Sequence, residues 1–445
     1  MAPNLPKTFK AALFKEANAP LTLEDVELRQ PEEGQILIKV LATGVCHSDA
    51  GVQAGAMMNT FPRIPGHESI GDVVALGPGE KKWKIGDRVG APWHGGHDGV
   101  CKACNRGLFQ MCENEAINGV TRDGGYAEYC LLRSEATVRV PSDIDPAEYA
   151  PLLCAGVTVF NGIRQMKITP GEIVAIQGLG GLGHLAIQYA AKMGYRVVAL
   201  SSSGSKEKFA KELGASEYID GSKQDLGEAL QKMGGAALVV TTAPNPEVMK
   251  GLIHGLGTLG KLLILAVAGE ATFDTIPMIG KGLSVHAWPS GHALDCEEAI
   301  NFAQIHNVNC MIEKFPLAKA REAFDHMMSG KHHHLHAHSI YLPALTAATT
   351  LARFYRAAIY NAEHVWPSLS PHGASPNIKI TRGALTLTIR CAQGVLPWTM
   401  VRSLAQGFLK ATADGFVGGF EGRFVWGATG VTVYVGLRVD ALRTV

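Results

Sequence analysis

The sequence predicts an α/β protein with a β-rich first domain, a parallel-sheet second domain and an appended C-terminal segment. Short β-type runs separated by Gly and Pro turns occupy residues 1–152, a pattern typical of an antiparallel, barrel-like domain. Strand and helix patterns alternate over residues 153–285, which indicates a parallel sheet covered by helices. Beyond residue 341 the composition changes again, and a chain of 445 residues is too long for one hydrophobic core.

The individual elements follow from local patterns. Strands of the first domain are predicted at QILIKVLATG, SIGDVVALG, GGYAEYCLL and ATVRVP. The second domain starts with the buried strand EIVAIQG, the amphipathic helix LGHLAIQYAAKMG ending at Gly194, and the strand RVVALS. Later strands read ALVVTTA and KLLILAVA, and two helices, CEEAINFAQIHN and LAKAREAFDHMMSG, come after them.

The segment after Lys331 differs in composition from everything before it. It opens with the run HHHLHAH, and residues 339–445 carry ten Lys or Arg against four Asp or Glu, although the whole chain has a net charge of only +1. The runs ALTLTIRCA, GRFVWG and VTVYVGLRV predict strands, and PWTMVRSLAQGFLKA predicts a helix. Residues 341–445 therefore form a candidate small α+β module, for which the sequence indicates no activity.

Composition excludes several classes of function. A net charge of +1 provides no electrostatic basis for binding nucleic acid or an anionic membrane. No apolar run approaches the ~20 residues of a membrane-spanning helix, and the N-terminus lacks the apolar region of a signal peptide. The nine cysteines form an odd set, which favours reduced thiols. We expect a cytoplasmic protein with no nucleic-acid or membrane partner.

A first metal site is suggested by Cys46 and His67, which lie on either side of a Pro/Gly-rich segment, and by Cys154 at the domain junction. Two thiolates and one imidazole form a ligand set typical of catalytic zinc, which keeps a fourth position open. Taken singly, the cysteines also fit buried structural thiols, and His67 fits a loop histidine.

A dinucleotide site is predicted where the strand EIVAIQ runs into a helix. Four glycines occupy this turn: Gly178, Gly180, Gly181 and Gly183. Such a turn holds a pyrophosphate on backbone N–H groups at the helix N-terminus. The next strand ends in Ser201, Ser202 and Ser203, with Lys206 following, where an NAD-specific site would have a carboxylate. Hydroxyls and a cation suit a 2′-phosphate, so we expect NADP(H) in preference to NAD(H); the alternative is a merely flexible loop.

The motifs GVCHSD, GHE, the cysteine cluster CKACNRGLFQMC and GLGGLG follow one another in this order. As a set they resemble the zinc-dependent alcohol dehydrogenase branch of the medium-chain dehydrogenase/reductase family, over roughly residues 8–331. The resemblance implies a GroES-like catalytic domain with a Rossmann domain inserted before its last segment. Residues of about 286–340 would then complete the first domain, with HSIYL as the candidate closing strand.

The resemblance also implies roles at the catalytic site. Cys46, His67 and Cys154 would bind the catalytic zinc, with Glu68 as an alternative ligand behind it. Asp49 would bond the free imidazole nitrogen of His67, and a plain turn or helix cap is the alternative role for Asp49 and Ser48.

The remaining implied roles concern the substrate and the coenzyme. Ser48 would receive the alcohol proton, His47 would face the pyrophosphate, and Thr158 would lie beside the nicotinamide. Met57 and Trp93 match positions that line the substrate pocket. Members of the family often carry a histidine where this chain has Gly51, so the proton would leave Ser48 through the coenzyme ribose and water, or another base would take over.

A second, structural zinc is implied by Cys101, Cys104 and Cys112, in the spacing C-x2-C-x7-C. The family's further cysteine is replaced by Asp98, whose carboxylate can complete a tetrahedral site. Ligation by His97 or His94, or an empty loop, are the alternatives.

The expected activity is reversible hydride transfer between NAD(P)(H) and an alcohol/aldehyde or alcohol/ketone pair, in a homo-oligomer (a dimer or tetramer) with two zinc ions per chain. A zinc-free quinone or enoyl reductase of the same superfamily is one rival interpretation. A non-catalytic NADP-binding scaffold protein is another.

Overall fold

A computed structural model describes residues 5–57 and 60–329 and, beyond them, five strands together with residues 355, 401–402 and 405–406. The chain divides into two compact units, Met1–Leu342 and Pro343–Val445. The helix predicted at PWTMVRSLAQGFLKA lies mostly outside the described residues, as do the first five residues of the histidine run.

Among the described residues up to 152, the first domain contains nine strands and two short helices. They are β1 (Thr8–Leu13), β2 (Thr22–Glu27), β3 (Gln35–Val45), α1 (Ser48–Gln53), β4 (Ser69–Leu76), β5 (Arg88–Ala91), β6 (His94–Gly96), β7 (Ala116–Ile117), β8 (Tyr129–Arg133), β9 (Val138–Arg139) and α2 (Pro146–Tyr149). The strands pair antiparallel, β3 with β4 and β8, β4 with β5, and β5 with β9. Two small ribbons, β1–β2 and β6–β7, flank this sheet.

The second domain alternates helices and strands. Its elements are α3 (Ala155–Gln165), β10 (Ile173–Gln177), α4 (Gly181–Lys192), β11 (Arg196–Ser201), α5 (Glu207–Glu212), β12 (Glu217–Asp220), α6 (Leu226–Lys232), β13 (Ala236–Thr241), α7 (Pro246–Leu252), β14 (Leu256–Ile264), α8 (Thr275–Lys281) and β15 (Ser284–Ala287). The six strands form a parallel sheet in the order β12-β11-β10-β13-β14-β15. This is the Rossmann order, with its switch point between β10 and β13.

The central strand β10 explains why this sheet is buried. All five of its residues, Ile173–Gln177, are buried, as expected for a parallel strand covered by helices on both faces. The turn after it places α4 directly beyond the carboxyl end of β10, at the position where open α/β sheets bind dinucleotides.

The chain then returns to the first domain. α9 (Ala293–His306), β16 (Ile312–Pro316), α10 (Ala320–Ser329) and β17 (Ala337–Tyr341) follow the Rossmann sheet. β17 pairs antiparallel with the end of β3, from Val45 to Ala42, and parallel with β16. The segment HSIYL, predicted as the closing strand, thus supplies most of β17, which lies between β16 and β3 in a seven-stranded sheet.

In the second unit, the structure describes four strands: β18 (Asn377–Arg382), β19 (Leu385–Cys391), β20 (Phe420–Trp426) and β21 (Val431–Val439). They form an antiparallel sheet in the order β18-β19-β21-β20. The three strand predictions for this segment fall on β19, β20 and β21. Among the described helices of the whole chain, none combines the length and the apolar character that crossing a bilayer requires.

Candidate active site

The pairing of β3 with β4 brings the first two predicted ligands together. Cys46 follows the end of β3 and His67 precedes the start of β4, and these antiparallel strands pair Thr43 with Ser69. Cys154 joins them from the residue before α3. The potential ligand atoms of these three residues and of Glu68 all lie within 4.8 Å of one another, and the sulfur atoms of Cys46 and Cys154 are 3.9 Å apart. Residues 108 positions apart therefore form one cluster.

Burial and mutual contact shift the pKa values of the side chains in this cluster. The hydrogen bond with Cys154 holds the pKa of the Cys46 thiol well below its usual value, although burial opposes the shift. The same bond and burial raise the pKa of Cys154. Burial lowers the pKa of His67, but the Cys46 thiolate and Asp49 raise it by more. Both ring nitrogens of His67 are buried without a hydrogen-bond partner, which is rare unless another group supplies one. Two sulfurs and an imidazole nitrogen are a zinc-type donor set.

Asp49 lies in α1 directly behind His67. Both side chains are fully buried, and Asp49 Oδ1 is 3.5 Å from His67 Nδ1. The other carboxylate oxygen accepts hydrogen bonds from the backbone N–H of Cys46 (3.1 Å) and from the hydroxyl of Tyr126 (2.7 Å). Sequence reasoning missed Tyr126, because GGYAEYCLL indicated only a strand.

Glu68 is buried next to the cluster, and burial followed by the charge of Cys46 raises the pKa of its carboxyl well above the usual value. Its carboxylate fills the space beside Gly44 in β3. A Cβ atom at Gly44 would lie 1.7 Å from Glu68 Oε2. Glycine at this position therefore leaves room for an acidic group behind the metal ligands.

The predicted substrate-side residues surround the cluster. The ring of Trp93 meets the ring of His67 edge-on, with centroids 4.9 Å apart. Ser48 begins α1 and is half-buried, while His47 before it is exposed. A Cβ atom at Gly51 would lie 2.8 Å from Met57 Sδ, so Met57 occupies the space that a side chain at position 51 would need.

The second cluster also forms. Asp98, Cys101, Cys104 and Cys112 have ligand atoms within 4.8 Å of one another. The Asp98 carboxylate accepts hydrogen bonds from the backbone N–H of Cys101 (3.0 Å) and from Asn114 Nδ2 (2.8 Å), and these bonds lower its pKa well below the usual range.

Neither histidine considered as a ligand belongs to this cluster. His94 Nδ1 lies 3.0 Å from Glu115 Oε1, and His94 Nε2 lies 3.1 Å from His97 Nδ1. Both nitrogens of His94 are therefore engaged elsewhere. The ring of His97 stacks on Phe109 with centroids 4.2 Å apart.

The glycine turn has two kinds of position. Gly178 has a φ of +90°. A Cβ atom at Gly183 would lie 1.9 Å from the carbonyl oxygen of Gly178, so these two glycines allow β10 and α4 to pack closely. A Cβ atom at Gly180 or Gly181 would meet no atom within 4 Å. That open side is where a pyrophosphate can approach the N-terminus of α4.

The serine loop lies beside this turn. Ser201 ends β11, and Lys206 Nζ donates a 3.4 Å hydrogen bond to the carbonyl of Leu179 within the glycine turn. Ser202 and Ser203 connect the two. Thr158 lies one turn into α3, where its N–H donates to the carbonyl of Cys154, so α3 carries both a cluster residue and a residue predicted to lie near the nicotinamide.

Sequence reasoning also missed Asp220, a carboxylate on the neighbouring strand. Asp220 pairs with Ser201 in the register of β11 and β12, and a Cβ atom at Gly204 would lie 3.0 Å from its Oδ2. Its Oδ1 accepts bonds from Ser222, and Lys223 Nζ lies 3.5 Å from its Oδ2.

Two family models match the chain. Residues 32–142 match the alcohol dehydrogenase GroES-like domain and residues 181–304 match the zinc-binding dehydrogenase domain. The alcohol dehydrogenase patD of Penicillium expansum is 59% identical over 330 residues, which are 74% of this chain and 97% of the relative. The alcohol dehydrogenase notN of an Aspergillus species is 55% identical over 328 residues, which are 74% of this chain and 97% of the relative.

This chain belongs to the zinc-containing medium-chain alcohol dehydrogenases. The resemblance inferred from the motifs is thereby confirmed, as are the GroES-like and Rossmann folds and the class of enzyme, an oxidoreductase acting on CH–OH donors. Cys46, His67 and Cys154 mark one of the two zinc sites of this alcohol dehydrogenase, and Cys101, Cys104 and Cys112 mark the other.

Solved structures of similar fold show both coenzymes. A cinnamyl alcohol dehydrogenase from Sorghum bicolor superposes with a TM-score of 0.68 at 27% identity, covering 75% of this chain and 98% of that one. An acetophenone reductase from Geotrichum candidum in complex with NAD shares the fold, with a TM-score of 0.67 at 24% identity, covering 76% of this chain and 98% of that one. A putative zinc-binding dehydrogenase from Sinorhizobium meliloti bound to NADP also shares it, with a TM-score of 0.69 at 24% identity, covering 76% of this chain and 100% of that one. Proteins that share this fold have thus been solved with either dinucleotide bound.

Proposed function

We propose that this alcohol dehydrogenase uses NADP(H) to interconvert alcohols larger than ethanol with their aldehydes or ketones. The observation that carries the proposal is the cluster of Cys46, His67 and Cys154 at the start of α3, one turn before Thr158. Bound zinc supplies a Lewis acid for the substrate oxygen, and bound coenzyme supplies the hydride acceptor or donor.

The chain's own residues hold the zinc and move the proton. Asp49 keeps the proton of His67 on Nδ1, which leaves Nε2 as the ligand atom. Ser48 is half-buried at the start of α1, two residues after Cys46, and its hydroxyl accepts the alcohol proton and passes it to water. No base follows at Gly51, where Met57 fills the space.

The walls of the site support a bulky substrate. Trp93 supplies an aromatic wall against His67, and Met57 supplies a flexible thioether that adapts to different shapes. Glu68 remains the alternative ligand behind the metal, and His47, exposed before α1, faces the coenzyme pyrophosphate.

The deciding experiment combines metal analysis with turnover of an aldehyde panel by NADPH and by NADH. We expect two zinc ions per chain and faster NADPH oxidation. Cys154→Ala should abolish turnover and leave dinucleotide affinity nearly intact, whereas retained turnover would contradict the ligand assignment. Bound coenzyme with no turnover of any substrate would favour the scaffold interpretation.

The preference for NADP(H) rests on Ser201, Ser202 and Lys206 at the end of β11. Lys206 is held over the glycine turn, where a 2′-phosphate would meet a cation, and Asp220 nearby is already engaged by Ser222. A hydrogen bond to a charged group contributes about 1.5–3 kcal/mol, so Lys206→Ala should weaken NADPH at least tenfold and NADH little.

Lys208 provides the matched control, because it lies two residues after Lys206, within α5, and its side chain is 91% exposed. Lys208→Ala should change neither affinity. Equal losses for NADPH and NADH in Lys206→Ala would indicate that the lysine only supports the loop.

The structural site is proposed to contain Asp98 as its fourth ligand beside Cys101, Cys104 and Cys112. The ligand atoms of these four residues lie within 4.8 Å of one another, which supports this proposal. Asp98→Ala should lower the zinc content towards one ion per chain, while His97→Ala should not; the reverse result would favour the histidine.

The domain limits and the assembly are proposals as well. We place the catalytic domain at 1–152, completed by about 286–340, and the coenzyme domain at 153–285. The division of the chain after Leu342 supports a proposed appended segment at 341–445, and a truncation after residue 342 should retain turnover.

A homo-oligomer is supported by exposed apolar side chains on α8, the helix that precedes the edge strand β15 in the chain. Ile276 and Ile279 on α8 are 79% and 84% exposed. Light scattering should give a dimer or tetramer that Ile279→Lys weakens. A cytoplasmic location is supported by the eight cysteines whose side chains the structure describes, none of which forms a disulfide, and imaging of a fluorescently tagged protein would test it.

A further inference from the structure

Tyr126 is fixed against the loop that carries His67. The residue lies in the loop that connects β7 to β8, and its side chain is completely buried. Its backbone N–H donates to the carbonyl of Pro65 at 3.0 Å, and Gly125 N–H donates to the carbonyl of Gly66 at the same distance. Gly66 has a φ of +103°, and a Cβ atom there would lie 2.5 Å from Tyr126 Cδ1. The aromatic ring therefore packs on the residue immediately before His67.

The hydroxyl of Tyr126 connects this packing to the catalytic cluster. It donates a 2.7 Å hydrogen bond to Asp49 Oδ2, the oxygen that also accepts from the N–H of Cys46. With two donors on one oxygen, the carboxylate plane cannot rotate freely. The other oxygen, Oδ1, has no hydrogen bond and lies 3.5 Å from His67 Nδ1.

We propose that Tyr126 is a positioning residue of the catalytic zinc centre, whose hydroxyl orients Asp49 so that His67 keeps Nε2 free for the metal. The inference rests on the proposed assignment of Cys46, His67 and Cys154 as ligands and adds a residue to which that assignment gives no role. The side chains of Tyr126, Asp49 and His67 are all buried. If the Tyr126 hydroxyl is removed, water cannot freely reach Asp49 to replace the lost hydrogen-bond donor, so the loss costs stability.

The chemistry of the chain explains how the effect reaches the metal. A metal-binding histidine donates its other N–H to a carboxylate, which fixes the tautomer and raises the basicity of the ligating nitrogen. A carboxylate that has lost its own donor can turn away from the imidazole. Groups that orient a ligand typically change metal affinity 10- to 100-fold when they are replaced. Tyr126 is one hydrogen bond further from the metal than Asp49, so we expect its replacement to change zinc affinity about tenfold, at the low end of this range.

The test compares Tyr126→Phe with Tyr189→Phe in the zinc-loaded enzyme. Tyr189 is equally buried, and its hydroxyl donates a 2.9 Å bond to the carbonyl of Ala299, away from both clusters. The measurement is the rate at which zinc passes to a chromophoric chelator. We expect Tyr126→Phe to release one of its two zinc ions about tenfold faster and the other unchanged, while Tyr189→Phe releases both as the wild type does. Equal release from the wild type and Tyr126→Phe would overturn the proposal, as would the same acceleration in Tyr189→Phe.

Asp49→Asn provides a second variant that keeps an acceptor for Tyr126 but changes the group facing His67. The double variant Tyr126→Phe/Asp49→Asn should lose zinc no faster than Asp49→Asn alone, because residues acting through one contact are not additive. Additive acceleration would mean that Tyr126 acts elsewhere. If Tyr126→Phe does not fold, zinc release at the wild-type rate from Asp49→Asn would overturn the proposal.

Failure of the ligand assignment gives a different result. A wild-type enzyme with one zinc ion, unchanged in Cys154→Ala, would contradict the proposed site itself. Two zinc ions in the wild type with no effect of Tyr126→Phe would contradict only the role of Tyr126.

Discussion

Replacing Gly183 by alanine should destabilise the coenzyme domain, because the added methyl group has no room. The new Cβ atom would lie 1.9 Å from the carbonyl oxygen of Gly178, where contacts under 3.0 Å are essentially never seen. The backbone at Gly178, in the turn after β10, and the backbone of α4 at Gly183 would therefore have to separate by roughly 1 Å. Overpacking of this kind costs about 1–3 kcal/mol, and we take the upper end because the atom met is backbone.

Helix propensity offsets part of this cost. Gly183 lies within α4, where alanine is better than glycine by about 1 kcal/mol. The net loss expected for Gly183→Ala is therefore about 2 kcal/mol. Gly181→Ala is the matched control, because it lies in the same helix and its Cβ atom would meet nothing within 4 Å.

Two measurements separate these variants. Thermal unfolding of the coenzyme-free protein should show a midpoint a few degrees lower for Gly183→Ala and unchanged or slightly higher for Gly181→Ala. NADPH fluorescence titration should show at least tenfold weaker binding for Gly181→Ala, because its methyl group occupies the side open to the pyrophosphate. A Gly183→Ala protein as stable as the wild type would refute the close-approach argument, and full affinity in Gly181→Ala would refute the location of the pyrophosphate.

Three further changes test other parts of the enzyme. Cys104→Ser should remove the structural zinc and lower the unfolding midpoint while freshly prepared protein still turns over, as metal analysis and calorimetry would show; loss of both zinc ions would argue against separate sites. Trp83→Ala should cost about 3–5 kcal/mol of unfolding free energy, because the side chain is only 2% exposed and its indole N–H donates to the carbonyl of Ser134; urea titration that finds less than 1 kcal/mol would contradict this. Gly51→His should displace the flexible Met57 side chain at little cost in stability, because its Cβ atom would meet Met57 Sδ at 2.8 Å; an unfolding midpoint far below that of the wild type that Met57→Ala restores would contradict this.

The architecture was largely predictable from local patterns. The alternation from EIVAIQG to KLLILAVA predicts a parallel sheet because each buried strand is followed by a helix pattern. The observed order β12-β11-β10-β13-β14-β15 is the one such units adopt. Periodicity alone did not indicate that β17 pairs with β3, because that contact joins distant parts of the chain.

The catalytic site was predictable only in part. The ligands Cys46, His67 and Cys154 were found through the order of motifs, since their separation in the chain carries no geometric information. Tyr126 was missed because its hydroxyl bond to Asp49 spans 77 positions and its surroundings read as an ordinary strand. Asp220 was missed for a similar reason, because strand register, rather than sequence proximity, places it beside Ser201.

The position of β17 has a consequence for how the enzyme is made. The parallel sheet has all of its strands once residue 287 has been translated, whereas β3 obtains its neighbour β17 only when synthesis reaches residue 341. In most nascent chains the N-terminal domain matures first, and we expect this order to be reversed here. A ribosome that stalls between these two points would present a finished nucleotide-binding half attached to a catalytic half whose strand beside Cys46 still has an open edge.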